Sequence, residues 1–426
     1  MVLQMTLAFV LLLGSLAQEA DKVSIEGGTV TLAGRHAKLV EHSDPSKRGV
    51  IVDLIVFKGR LIAFGSYNGN TEILEYDVLG DAWKLLKDSL GFIINPRVVG
   101  DRILMPDHVG SGPVHTFDGE TWGGLTIPRQ LHTMDVAPFG GKLYVSTGGT
   151  SNRGKVLESA DDGLTWKEIR ETKDAGRVLD MVEFKGKLWA NERGAQLIAW
   201  DGKAWTEHPV KLPVKEKIDA KVGNAQLFVL GDKILATQAE LVYTFDGTKW
   251  SSSAPGYIDL WREGKTMYGL REDGSVHSST DGAKWSAVTK EHAPAKDFDT
   301  NYSGSRPYHR GAIAIHRGRL WVGAGEGKMY AGTFEEKGRW TSAALERGPY
   351  QEAVLAWESS APDGTVLKMK VRSAETREGL DGAAWVDATD NRHAVAESHR
   401  FAQVRAEMTS DGTKTPVVRV AGFVKK

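Results

Sequence analysis

Residues 159–166 read SADDGLTW, with a serine, two aspartates, a glycine and a tryptophan inside eight positions. Such a cluster could be an active site or a turn, and its companions decide between them. DGETW begins at Asp118, DGKAW at Asp201, DGTKW at Asp246 and DGAKW at Asp281. A catalytic motif is usually needed once, whereas a motif that recurs along a chain belongs to its architecture. An aspartate in a turn accepts hydrogen bonds from nearby backbone N–H groups, and glycine supplies positive φ at no steric cost. The tryptophan then buries a large apolar surface. The recurrence marks one hairpin design, used many times.

Working outward, a second anchor repeats in step. Short glycine turns between apolar runs recur as VFKGRLIAF, VVGDRILM, PFGGKLYV, EFKGKLWA, VLGDKILA, REGKTMYG and IHRGRLWVG. Their glycines are Gly59, Gly100, Gly141, Gly186, Gly231, Gly264 and Gly318, which span 259 residues over six intervals, a period of about 43. Each is followed 19–25 residues later by a tryptophan: Trp83, Trp122, Trp166, Trp205, Trp250, Trp285 and Trp340. Each unit reads as four short strands rich in Val, Leu, Ile, Tyr and Trp; in the third they are MDVAPF, KLYVSTG, KVLESA and TWKEI. A four-stranded unit of this length is a propeller blade, and a closed ring of seven leaves no exposed sheet edge.

Bulk properties fit this reading. The 426 residues carry 54 Lys+Arg against 55 Asp+Glu, so no basic field points to nucleic acid. The 48 glycines suit many strands joined by tight turns. There are no cysteines, which rules out disulfides, thiolate zinc sites and thiol catalysis. The N-terminus, MVLQMTLAFVLLLGSLAQEA, has an apolar run too short to span a bilayer. Ser15 and Ala17 form a small-x-small signal, so residues 1–17 are expected to be a signal peptide cleaved after Ala17. The lack of Lys or Arg before the run departs from that pattern. The expected mature protein is secreted or periplasmic and has no membrane span.

SADDGLTW resembles the Asp-box, or BNR, repeat, whose pattern S-x-D-x-G-x-x-W is matched by Ser159, Asp161, Gly163 and Trp166. SSTDGAKW keeps Ser278, Gly282 and Trp285 but has Thr280 at the third position. The other copies keep only D-G-x-x-W, and the first and seventh units only G-x-x-W and G-x-W. The resemblance covers roughly residues 50–345 and implies a sialidase-like propeller whose boxes lie on the blade periphery, away from the central site. It does not extend to catalysis, because there is no F/Y-R-x-P motif and the arginines form no recognisable triad.

The expected organisation is an all-β chain, with a seven-bladed β-propeller over residues 51–346 followed by a small β-sandwich over 347–426. The second module alternates polar and apolar residues in EAVLAWESSA, TVLKMKVRSA, HRFAQVRAEM and PVVRVAGFV. Its DGAAW, at Asp381, reads as a hairpin. In the segment 18–50, KVSIEGGTVTL is read as a strand that completes a blade. The 54-residue gap between Gly264 and Gly318 marks an insertion, EHAPAKDFDTNYSGSRPYHR. Long loops in compact folds are often functional.

Chemistry is sought at the axis. Aligned on the turn glycines, Asp53, Asp135 and Asp180 lie six residues upstream and Asp259 five; His132, Arg177 and His309 lie nine upstream. Arg310 follows His309, Tyr308 precedes it, and Arg97 matches neither set. The innermost strands of a propeller surround its axis, so these ten residues are expected at one mouth of the channel. Three roles fit them. They could fasten blade to blade. They could bind a glycan or an extracellular protein without catalysis. They could serve a carbohydrate-active enzyme, a sialidase-like glycoside hydrolase or a lyase; hydrolysis would need two carboxylates at a defined separation. No catalytic residue, metal ligand or cofactor is assigned, although converging Asp oxygens would suit a Ca²⁺ ion.

Overall fold

The computed structural model describes residues 17–425 except 27, 47–48, 68, 94, 109–111, 129–131, 193–195, 209–225, 239–240, 254, 299–310, 349–352 and 389. Apart from two short 3-10 turns, Ala295–Asp297 and Glu378–Gly382, the regular structure among these residues is β-strand.

From Val50 to Phe334 the chain forms consecutive antiparallel meanders of four strands. The first comprises Val50–Phe57, Arg60–Tyr67, Asn70–Asp77 and Ala82–Leu90. The second comprises Arg97–Val99, Arg102–Pro106, Val114–Phe117 and Trp122–Leu125. The next two share long elements. Thr133–Phe139 pairs with the start of Lys142–Ser159, whose end pairs with the start of Lys167–Phe184. Thr147 Oγ1 bonds both the N–H and the carbonyl of Lys155, so Lys142–Ser159 turns back on itself. The end of Lys167–Phe184 opens the following meander, completed by Lys187–Glu192, Gln196–Trp200 and Trp205–His208. Two more begin at Gln226–Leu230 and Asp259–Glu263.

The last sheet, Ala312–His316, Arg319–Gly323 and Met329–Phe334, takes its fourth strand from the other end of the chain, Gly34–Ser43. The first strands touch one another in order, and Ala312–His316 touches Val50–Phe57. An apolar cluster fills each junction. The closing one joins Ile51, Leu54, Leu61 and Ala63 to Ala312, Ala314, Trp321 and Met329. This is the arrangement of a β-propeller. Two-residue hairpins set it up locally: Lys58 and Gly59 both have positive φ (50° and 70°), the geometry whose twist matches paired strands.

Three expectations about the ends are corrected. KVSIEGGTVTL does not complete a blade; Val23–Glu26 and Thr29–Leu32 form a hairpin that joins Val417–Lys425. The completing strand follows it, at Gly34–Ser43. Trp340 is not a blade tryptophan. Its strand, Lys337–Ser342, lies between Ala17–Asp21 and Phe401–Ser410, because the outer edge of the last sheet is already filled. The boundary expected at 346/347 therefore moves back to the end of Met329–Phe334. Two C-terminal sheets, each including N-terminal strands, share one core with Leu32, Trp340, Leu355, Trp357, Val371, Val404 and Val418. Within this region Asp381 and Gly382 lie in a 3-10 turn, not a hairpin, and Trp385 rests against Arg372 and Arg405.

The D-G-x-x-W hairpins are joints. Ser159 Oγ donates to Asp161 Oδ1 and accepts from Gly163 N, both at 2.8 Å, and Asp161 Oδ1 accepts from Thr165 N at 2.8 Å. The turn in SSTDGAKW runs one residue shorter than its alignment implies. Ser279, not Ser278, accepts from Gly282 N (2.9 Å) and donates to Asp281 (3.1 Å). Asp281 in turn takes the N–H groups of Ala283 and Lys284, so Thr280 replaces nothing. A cation from the first hairpin of one sheet clasps the D-G-x-x-W turn of the next: Lys58 bonds the carbonyl of Asp118, Lys185 that of Asp246 and Lys233 that of Asp281. Ser279→Ala is expected to destabilise by about 1 kcal/mol and Ser278→Ala to be near neutral, read from paired urea denaturations.

Candidate functional site

The axial residues fall into register when counted from the hairpins rather than from the glycines. The fifth residue back from each first hairpin is Asp53, Asn95, Asp135, Asp180, Gln226, Asp259 and Ala312. The glycine alignment placed Asp259 one residue closer because Gly264 is the first residue of its turn, whereas Gly59 is the second. The same count finds Asn95 and Gln226, which the sequence alignment missed.

These carboxylates sew neighbouring strands together. Asp135 takes the N–H of the next residue, Val136 (2.8 Å), and that of Met181 one sheet further on (2.7 Å). Asp180 takes Met181 N (2.8 Å) and Leu227 N (2.7 Å). Asp259 takes Leu260 N and Ile313 N, both at 2.8 Å. In the sheets that carry Asp53, Asp135 and Asp180 a β-bulge sits at this point, where the extra residue re-aims the side chain. Arg97, which matched no alignment, is brought to the centre. Its Nη2 lies 3.0 Å from both Asp135 Oδ2 and Asp180 Oδ1. Asn95 Nδ2 donates to the carbonyls of Met134 (3.2 Å) and Leu179 (3.3 Å).

Asp53 breaks the pattern. It accepts from its own neighbour, Leu54. The equivalent donor on the next sheet would be the residue after Asn95, and that is Pro96, which has no N–H. Among the described residues Asp53 therefore has no second backbone donor, and it is half-buried.

Burial pushes the carboxyls of Asp53 and Asp135 well above the usual range; Asp259 adds repulsion to Asp53, while Arg97 pulls Asp135 back down. Burial also lifts Asp259 to about 7, against the N–H bonds from Ile313 and Leu260. Burial disfavours the Arg97 cation, but Asp135 and Asp180 outweigh it and hold its pKa up. The sign of the Asp259 effect follows. Between pH 3.8 and about 7 the folded chain holds a proton that the unfolded chain has released. The stability from this carboxyl is full below that window and is lost as pH rises through it. Asp259→Asn is expected to flatten the melting temperature against pH between 4 and 7, and an unchanged slope would refute the shift.

Arg177 and His132 lie three residues before Asp180 and Asp135. Gly148 connects them: its N–H donates to the His132 carbonyl (3.1 Å), and it pairs opposite Arg177. A Cβ at Gly148 would lie 2.7 Å from Arg177 Cγ. His132 Nδ1 donates to the His108 carbonyl (2.6 Å), and the two rings stack at 4.5 Å. Tyr308, His309 and Arg310 lie outside the described residues. Of the insertion, Asp297 is tied to Tyr330 and to Lys328 (2.9 Å) in the last sheet.

The chemistry this arrangement supports is limited. Asp135 is fully buried, at 0% exposure, and both oxygens of Asp135, Asp180 and Asp259 already accept hydrogen bonds from N–H groups. Among the described residues no group of three or more His, Asp or Glu side chains is poised to hold a metal ion, and no helix is long and apolar enough to cross a membrane.

No family model matches the chain, and no curated protein matches it. Many solved structures are similar. One is described as YCF48 bound to D1 peptide, with 14% identity and a TM-score of 0.46 over 70% of this chain and 97% of that one. Another is the computationally designed Ika8 protein, with 11% identity and a TM-score of 0.42 over 74% of this chain and 99% of that one.

Proposed function

We propose that the chain is a seven-bladed β-propeller bearing a β-sandwich built from both chain ends. In this reading it is an exported, non-catalytic protein that receives a glycan or an extracellular protein at the mouth of its central channel. One observation carries this: the axial carboxylates that acid–base catalysis would need are engaged by backbone N–H groups of two adjacent sheets. A general acid must reach the atom it protonates. The alternative, a glycoside hydrolase or lyase, would have to act through Asp53, whose second backbone donor is lost to Pro96.

The test is a thermal-shift screen of the full chain against glycans, sialosides, peptides and Ca²⁺, with turnover assays on every hit. A ligand of the folded state raises the melting temperature. The expected result is a stabilising ligand that is not turned over. Turnover abolished by Asp53→Asn would establish the enzyme instead. Sequencing of exported protein is expected to begin at Gln18.

A further inference from the structure

Four axial side chains leave polar atoms without a partner among the described residues. Arg97 uses Nη2 alone to reach Asp135 and Asp180, so its Nε and Nη1 are left over. Asn95 uses Nδ2 for the carbonyls of Met134 and Leu179 and keeps Oδ1. Asp53 takes one N–H, that of Leu54, and the Gln226 amide makes no hydrogen bond with a described residue. All four residues are half-buried, and none of these unbonded atoms is cut off from solvent. The strands that carry Asp53 and Arg97 touch, and the charges of Arg97, Asp180 and Asp259 all reach Asp53. Arg97 makes its ion pairs with Asp135 and Asp180 and none with Asp53, so both groups remain available to a third.

We propose that Asp53 and Arg97 hold a neutral sugar by two adjacent hydroxyls, one donating to the carboxylate and the other accepting from the guanidinium. The inference rests on the mouth-binding reading and names the ligand's chemistry. Asn95 Oδ1 and the Gln226 amide offer further contacts to the same sugar. The mixture of charges, donors and acceptors selects this occupant. A Ca²⁺ ion takes oxygen ligands only, and the guanidinium beside them would repel it. A carboxylate offers acceptors only, and Asp53 and Asp259 would repel it. A hydroxyl gives and takes hydrogen bonds without adding charge. A peptide group does so too, but in its planar trans form the N–H and C=O point to opposite edges. Asp53 and Arg97 stand on neighbouring sheets and meet the ligand from one side, which suits hydroxyls on adjacent carbons.

Two measurements test this on the full chain. The first needs no ligand. Among the described residues Asp53 takes only its own neighbour's N–H, so Asp53→Asn is expected to keep or raise the melting temperature at neutral pH. A fall of several degrees would mean that the fold itself uses the carboxylate, and would overturn the proposal. The second displays neutral glycans, acidic glycans and random heptapeptides side by side. Neutral glycans are expected to be retained without Ca²⁺ and with little change between low and high salt. Their binding should fall at least about tenfold in Asp53→Ala, less in Gln226→Ala, and be partly kept in Asp53→Asn, which still has an acceptor. Retention of acidic glycans alone, or of peptides alone, would overturn the sugar assignment; loss of that binding in Asp53→Ala would show that the mouth reading stands. Neutral glycans held equally by the wild type and both alanine variants, or silence on every support, would count against the mouth reading and this proposal with it.

Discussion

A chain that begins at residue 44 is expected to lose its cooperative unfolding transition. Residues 17–43 supply the outer strand of the last sheet, the hairpin against Val417–Lys425 and the strand against Lys337–Ser342. They also tie sheets together. Leu39 N bonds the Glu291 carbonyl (2.8 Å) and Lys290 N that of Ala37 (2.7 Å), while His42 Nε2 meets Asp81 of the first sheet at 3.0 Å. Deletion opens the edge of Met329–Phe334 and strips Val30 and Leu32 from the C-terminal core. The expected product has a broad melt and binds a hydrophobic dye, and a peptide of residues 17–43 added in trans should sharpen the melt. A sharp transition within a few degrees of the full chain would show that the ring holds without its closing strand.

The second large effect is expected at Arg97. It is the cation at hydrogen-bond distance from Asp135 and Asp180, and Asp135 is fully buried. Removing one partner of such a cluster leaves uncompensated buried charge, and Arg97→Met should destabilise by about 3–5 kcal/mol. The loss arises from stranded charge more than from missing packing, so Arg97→Met combined with Asp135→Asn should be less destabilised than additivity predicts. Equilibrium denaturation of the two single variants and the double measures this. A loss under about 1 kcal/mol in the single Arg97 variant would mean that water, rather than the arginine, neutralises the pair.

Much of this was legible in the sequence because hairpins repeat chemistry. Turn glycines and D-G-x-x-W recur since the hairpins that join successive strands need the same positive φ and the same capping oxygen. The register of Ser279 was not legible, because anchoring on Gly282 and Trp285 assumes a fixed turn length. The ring of Asp53, Asp135, Asp180 and Asp259 was found in outline, but Asn95 and Gln226 were hidden: no residue type was shared, only a count from the hairpin. Arg97 escaped alignment because it sits two residues nearer its turn than the ring position. The closing strand was missed for a different reason. Leu39 is the only residue of Gly34–Ser43 that is buried, so the strand carries almost no hydrophobic alternation.

That faint pattern bears on how the protein is made. The ribosome releases Gly34–Ser43 long before its partner, Met329–Phe334, which lies about 290 residues later. At roughly 5–20 residues per second the wait is on the order of a quarter to a full minute. An apolar strand exposed that long would be free to pair with a neighbouring nascent chain. GRHAKLVEHS, with two basic residues, two histidines and a glutamate around its single buried leucine, stays in water while it waits. The features that hid the strand from pattern analysis also protect it during synthesis.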